Sequence, residues 1–338
     1  MSNWKSYLPA DVTGWLLEPE NPSVRYFTLT TILDKPESDP EVRKARLDIM
    51  QTGIVPEILS KQDPGGYWGD IRKFYTDKYK GTVWQLMILA ELGADHSHPQ
   101  IARACEFIFE NSQELADGGF SAYRSEKTGG GLPGYVIPCL TGNMVWSLIR
   151  LGYLEDARLQ KGIGWINTWQ RFDDGIETPP KGKLYDRFEM CWGKHTCHLG
   201  VVKTMKALCE IPENLRTDST QHTIRQGIEY LLVHHIYKKS HDYSAVSRPG
   251  WLKLGFPLMY QSDIQEILLI LTRLKCQDPR MQDAIDVMIS KQTPDGRWLL
   301  ENSFNGKMQV NIEKKGKPSK WITLNALRVL KGFYAEQG

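Results

Sequence analysis

The chain has 338 residues, 41% hydrophobic and 24% charged, which is ample for a large buried core. Its 42 basic and 40 acidic residues leave a net charge of +2, which gives no reason to expect nucleic acid or an anionic membrane as a partner. No run of about 18 apolar residues occurs, and MSNWKSYLPADVTGW lacks the apolar stretch of a secretory signal. The expectation is therefore a cytoplasmic protein with no transmembrane segment and with reduced cysteines.

The predicted elements are helices of two kinds in alternation. Apolar helices are expected at Val24–Leu33, Gly81–Leu92, Gly142–Leu151, Thr196–Cys209, Tyr260–Leu274 and Trp321–Phe333. VWQLMILAEL and DIQEILLILTRL are apolar on nearly every side, the pattern of a buried helix. Amphipathic helices are expected between them at Pro40–Lys61 (interrupted near Gly53 and Pro56), Pro99–Gln113, Glu155–Gln170, Thr220–Tyr237 and Pro279–Gln292. Asp39-Pro40, His98-Pro99 and Asp278-Pro279 each place a cap residue before a proline suited to a first helical position, and Ser219 can cap the fourth. No sustained alternation of period two suggests a central sheet. Six apolar and five amphipathic helices fit a closed double ring, apolar inside and amphipathic outside, spanning residues 1–338 as one all-α domain.

The amphipathic helices end in a repeated phrase. SKQDPGGYW (Ser60–Trp68), NSQELADGGF (Asn111–Phe120), TWQRFDDGI (Thr168–Ile176) and SKQTPDGRW (Ser290–Trp298) each run Gln, a short spacer, Gly, then a bulky apolar residue. The glutamines Gln62, Gln113, Gln170 and Gln292 are 51, 57 and 122 residues apart, the last gap being two periods. Val233–Tyr243 is a degenerate copy near its midpoint, lacking the Gln and Gly and carrying His234, His235 and His241.

This phrase resembles the QW-type repeats of the terpenoid cyclase and protein prenyltransferase superfamily, the squalene–hopene cyclase-like proteins. The resemblance implies an α/α toroid in which Gln and the aromatic tie successive helix pairs. It also implies a central cavity for a largely apolar, prenyl-type substrate. Two motifs of the superfamily are missing. The acid Asp-x-Asp-Asp of proton-initiated cyclases has its nearest match in Arg171-Phe172-Asp173-Asp174, which lacks the first Asp, so Asp173 and Asp174 read as turn residues. The Asp-Asp-x-x-Asp of ionisation-dependent synthases is absent.

The candidate chemistry gathers just before the inner helices. Cys191, His195, Cys197 and His198 lie within eight residues. Zinc takes four N or S ligands, or three with one position open. A helical segment would put Cys191, His195 and His198 on one face, whereas an extended approach would let Cys191, His195 and Cys197 converge. Cys139, in CLTGN before the preceding inner helix, is about one repeat upstream and could share the same mouth. Cys197-His198-Leu199-Gly200 resembles the Cys-His-Gly zinc segment of the toroidal lanthionine cyclases, except that Leu199 replaces a glycine. The expected metal set is Cys139, Cys191, His195 and Cys197 with Zn2+, and His198 joins the catalytic candidates. Tyr260 and Asp263 open the fifth inner helix, where Asp263 is either a cap or a general acid in an apolar cavity.

Other features read as structure. Cys105, Cys209 and Cys276 fall within or at the ends of helix patterns. The basic loops Gly69–Gly81 and Lys314–Trp321 are solvated turns or a source of cations at the mouth. TGGGLPG (Thr128–Gly134) has no preceding strand and no Lys-Ser/Thr, so it is no nucleotide cradle. The leading expectation is an enzyme acting on an apolar substrate. A toroid that binds a ligand or protein without turnover is the first alternative. A polysaccharide-processing toroid using Asn143, Tyr260, His195 and Arg72 is the second.

Overall fold

The protein is described by a computed structural model over residues 3–182 and 185–334. In chain order its helices are α1 (Thr13–Leu16), α2 (Pro22–Thr31), α3 (Pro40–Gln51), α4 (Ile54–Leu59), α5 (Thr82–Glu91), α6 (Pro99–Asn111), α7 (Pro138–Arg150) and α8 (Ala157–Trp169). They continue with α9 (Glu189–Trp192), α10 (His198–Leu208), α11 (Asp218–Val233), α12 (Ile264–Arg273), α13 (Gln282–Ser290) and α14 (Lys320–Phe333). The one sheet among the described residues is the hairpin β1 (Lys238–Lys239) with β2 (Asp242–Val246), antiparallel, in the degenerate repeat. None of the described helices is long and apolar enough to cross a membrane.

The chain divides into two compact units, one formed by residues 1–57 and 231–338, the other by 58–230. In the second unit α7 lies between α5 and α10, with α6 against α5 and α8 against α7. In the first unit α14 packs on α2 and α12, with α3 against α2 and α13 against α12. The helices expected from sequence to be inner are apolar for a reason visible in burial. Every residue of α5 from Thr82 to Ala90 is buried, as is every residue of α7 from Pro138 to Leu148. The helices expected to be outer bury only a stripe, such as Val42, Ala45 and Ile49 of α3 or Leu159, Ile163 and Ile166 of α8. Each large aliphatic side chain so buried contributes about 1.5–3 kcal/mol.

The helix caps correct several sequence boundaries. Asp39, His98 and Asp156 cap α3, α6 and α8 through the backbone N–H groups of Glu41, Gln100 and Arg158. Pro279 opens a single 3-10 turn, and α13 begins only at Gln282. Ser219 lies inside α11. Thr217 is the residue whose hydroxyl accepts the N–H of Thr220, so the helix starts two residues early. The fifth inner helix starts at Ile264, not Tyr260, because Asp263 is its cap.

The repeated phrase is a joint with defined hydrogen bonds. Gln62 Nε2 donates to Gln100 O at 2.9 Å, and Gln113 Nε2 donates to Arg158 O at 2.7 Å, so each glutamine reaches the first turn of the next outer helix. The bulky residue then turns its backbone N–H to a threonine on the following inner helix. Trp68 uses Thr82 at 3.2 Å, Phe120 uses Thr141 at 3.0 Å and Trp298 uses Thr323 at 3.0 Å. The indoles of Trp68 and Trp298 donate back to Ile58 O at 2.9 Å and Met288 O at 2.7 Å, fixing the outer helix as well. Gly118 must be glycine. Its φ is +82°, and a Cβ would stand 2.5 Å from Cβ of Lys161.

Candidate functional site

In the second unit two inner helices begin side by side. Gly142 makes this possible, because a Cβ there would lie 2.5 Å from the carbonyl carbon of Lys203. With that gap closed, α7 and α10 approach backbone to backbone. Cys139 is the second residue of α7, after Pro138, and Cys197 is the N-cap of α10. Cys191 sits in the single turn α9. The loop between them folds back, and Cys197 N–H donates to Cys191 O at 3.4 Å. The Cys191 and Cys197 side chains are hydrogen-bonded, and Cys139 lies within electrostatic range of both. Two thiols therefore touch, with a third nearby, where two helices begin.

Their environment disfavours charge on two of them. Burial, then the neighbouring Cys197, pushes the Cys139 thiol up to about 12. The hydrogen bond to Cys197, then burial, raises the Cys191 thiol. Lys203, one of the largest side chains buried completely, acts on Cys139 in the opposite sense. Cys139 is buried, whereas Cys191 and Cys197 are half-buried. Asn143, one helical turn beyond Cys139 and 2% exposed, has its Nδ2 without a partner among the described residues, as does the hydroxyl of Thr196 beside Cys197. Buried polar groups of this kind are rare in finished cores and common where a ligand completes the bonding.

The third repeat holds this loop in place. Arg171 donates its guanidinium to the carbonyls of Trp192 and Gly193 and to the Asp173 carboxylate. Thr196 N–H donates to Asp173 O at 3.0 Å, and Gly175 N–H to Lys194 O at 3.1 Å. Asp173 and Asp174 are therefore partners of the thiol loop rather than members of a free turn. Trp192 is 1% exposed and packs edge-on against Trp165 and Tyr185.

The expected zinc set does not assemble as a set. His195 is engaged by Asp174. Its Nδ1 is 3.3 Å from Asp174 Oδ1, and its side chain is 63% exposed. The reason is the strand-like pairing of Asp174 with His195, which turns that ring over Gly175. Among the described residues no group of three or more His, Cys, Asp and Glu side chains is arranged to hold a metal ion. Cys191 and Cys197 are in contact with Cys139 nearby, and the fourth expected ligand, His195, lies against Asp174 instead.

The other candidates are placed as follows. His198 is the first residue of α10, 7% exposed, with its ring edge-on to Tyr230 at 5.2 Å. Tyr230 in turn donates its hydroxyl to Thr196 O at 3.3 Å. Asp263, fully buried in the first unit, caps α12 by accepting Glu266 N–H at 2.9 Å, and its other oxygen accepts Gly255 N–H at 2.8 Å. Both oxygens thus serve the backbone. Tyr260 is half-buried, just ahead of that cap. Sequence reasoning missed Lys203 and Arg171. Lys203 was open to notice, since a lysine beside Val201 and Val202 in an inner helix has little water to reach.

No protein-family model matches the chain, and no curated protein matches it. Among solved structures it is similar to the type II terpene cyclase MstE from Scytonema without ligand, at 14% identity and TM-score 0.41, covering 92% of this chain and 87% of that one. It is similar to a variant of that cyclase in complex with geranylgeranyl dihydroxybenzoate, at 15% identity and TM-score 0.43, covering 93% and 87%. A further variant complex, with merosterolic acid A, matches at 13% identity and TM-score 0.31, covering 86% and 96%. At these values the likeness assigns neither a residue nor a reaction to this chain.

Proposed function

We propose that the chain is an enzyme of the terpenoid-cyclase and prenyltransferase kind, closed as an α/α toroid, acting on a largely apolar, prenyl-type substrate. The alternation of buried and striped helices, joined by glutamine, glycine and aromatic ties, supports the architecture. The observation that carries the functional reading is the pair of buried, unpartnered groups at the start of α7 and α10, Asn143 Nδ2 and Thr196 Oγ1. Beside them stand three thiols and a buried lysine. An inner helix begins there with two polar groups that the described residues leave unsatisfied and with a buried cation beside them. Asn143 and Lys203 would bind and orient the polar end of a substrate. The aliphatic walls of α5, α7 and α10 would take its chain. The missing acid motif leaves proton-initiated cyclisation without its usual donor, so transfer or rearrangement at this polar end is the reaction class proposed.

The test is incubation of the purified chain with farnesyl and geranylgeranyl diphosphates and the matching alcohols. Products are read by mass spectrometry and binding by tryptophan fluorescence. Product formation that Asn143→Ala reduces at least tenfold supports the reading. Saturable binding without product favours a carrier. Neither binding nor product removes prenyl-type substrates altogether.

A further inference from the structure

The half-buried thiols have a second property that does not depend on the proposed substrate. Cys191 and Cys197 are separated by five residues and are the two ends of one closed turn. The turn is closed twice, by Cys197 N–H to Cys191 O at 3.4 Å and by contact of the two side chains. It is clamped from outside by Arg171 on the carbonyls of Trp192 and Gly193, by Thr196 N–H on Asp173 O, and by the buried Trp192 ring. The two sulfurs are therefore held against each other by backbone rather than by side-chain rotation alone. Both are free thiols, and both are partly open to solvent, while the third, Cys139, is covered. Cys197 also ends an eleven-residue helix at its N-terminus, with no side-chain cap bond, so its sulfur stands where negative charge is stabilised.

We propose that Cys191 and Cys197 form a redox dithiol, which a small disulfide of the glutathione class converts to an intramolecular disulfide across the approach to α10. The sulfur of Cys197, its proton released, attacks one sulfur of the oxidised glutathione disulfide. One glutathione thiolate leaves, and Cys197 carries a mixed disulfide. The sulfur of Cys191, its proton passed to solvent, then attacks Cys197 and expels the second glutathione. The protein loses two electrons, the oxidant gains two, and the two thiol protons end on the two released glutathiones. The bond ties α9 to the cap of α10 and fixes the turn that carries Lys194 and His195. A dithiol reductant reverses it.

The experiment equilibrates the full chain in glutathione buffers of rising oxidised fraction, blocks remaining thiols with N-ethylmaleimide under denaturing conditions, and maps peptides by mass. The expected result is loss of two of the six thiols in a single step, with Cys191 linked to Cys197, in the wild type and unchanged in Cys139→Ser. Cys191→Ser, with its circular dichroism compared to wild type, should stop at a glutathione adduct on Cys197. Six blocked thiols in fully oxidised buffer, or a disulfide that includes Cys139, would overturn the proposal. The wild-type result stands without the variants, so a misfolded variant does not remove the test.

Discussion

The second and third repeat joints use nearly the same words for different ends. In the second, Gln113 reaches forward to Arg158 O and also holds Gly118 O at 2.9 Å, and Phe120 N–H closes on Thr141. The loop that follows is a bridged return, Ser121 with Val136 and Arg124 with Gly131, which ends at α7. In the third, Gln170 turns to its own loop and to α10 rather than to the next amphipathic helix. Its Nε2 donates to Arg171 O, and its Oε1 accepts the Thr204 hydroxyl at 3.3 Å. The residues after it pair instead with Lys194–Thr196 and so carry the thiol loop. A joint that ties two outer helices is inert. The same phrase released from that duty becomes the support of a reactive segment.

That contrast can be broken at its glycines. Gly118→Ala forces a left-handed φ on alanine and drives Cβ into Lys161, so it should destabilise the fold by about 3 kcal/mol. Gly175→Ala has the same backbone strain at φ +90° but meets only the exposed His195 ring at 3.1 Å, and should cost about 1 kcal/mol. Equal urea midpoints for the two variants would erase the distinction. The glutamines give the next largest effect. Gln113→Ala removes two hydrogen bonds to backbone carbonyls and should cost about 2 kcal/mol, against about 1 kcal/mol or less for Gln170→Ala.

A third difference is electrostatic. The ordinary thiol value of 9.0 rises to about 12 for Cys139 in the fold. Between those values the unfolded chain has released a proton that the folded chain still holds. Stability from this group is therefore complete below pH 9 and is lost as pH climbs towards 12. Cys139→Ser should flatten the decline in urea midpoint over that window relative to wild type, and a parallel decline would show that other groups set it. The smallest effect belongs to His195→Ala. It removes the contact of a mostly exposed ring with Asp174, so stability should change by less than about 1 kcal/mol. If the protein purifies with zinc, its metal content should also be unchanged in this variant, and a loss of metal would return His195 to the thiol group.

Much of this architecture was legible because it rests on local rules. The even burial of VWQLMILAEL, the Asp-Pro and His-Pro helix starts and the spacing of Gln62 and Gln113 each specify a helix or a joint within a few residues. A cap misplaced by two residues, at Thr217 rather than Ser219, and a helix start placed four residues early, at Tyr260 rather than Ile264, show the limit of that reading, since several hydroxyls and carboxylates nearby could serve and only the packed chain selects one. The hairpin at Lys238–Val246 was missed because it is short and its residues do not alternate.

The thiol site divides along the same line. Which residues carry reactive groups was written in CWGKHTCH, whereas the contact of Cys191 with Cys197 depended on the turn that folds back between them. That Cys139 joins them depended on Gly142 letting α7 lie against Lys203 of α10, a contact between residues far apart in the chain. That His195 does not join them depended on Asp174 and Gly175, which bind the same loop from the other side. Periodicity and capping act over one or two helical turns, so the sequence by itself determined the helices and their joints. Ligand sets and buried charges depend on which backbones approach within a few ångströms, and only the tertiary structure decided that.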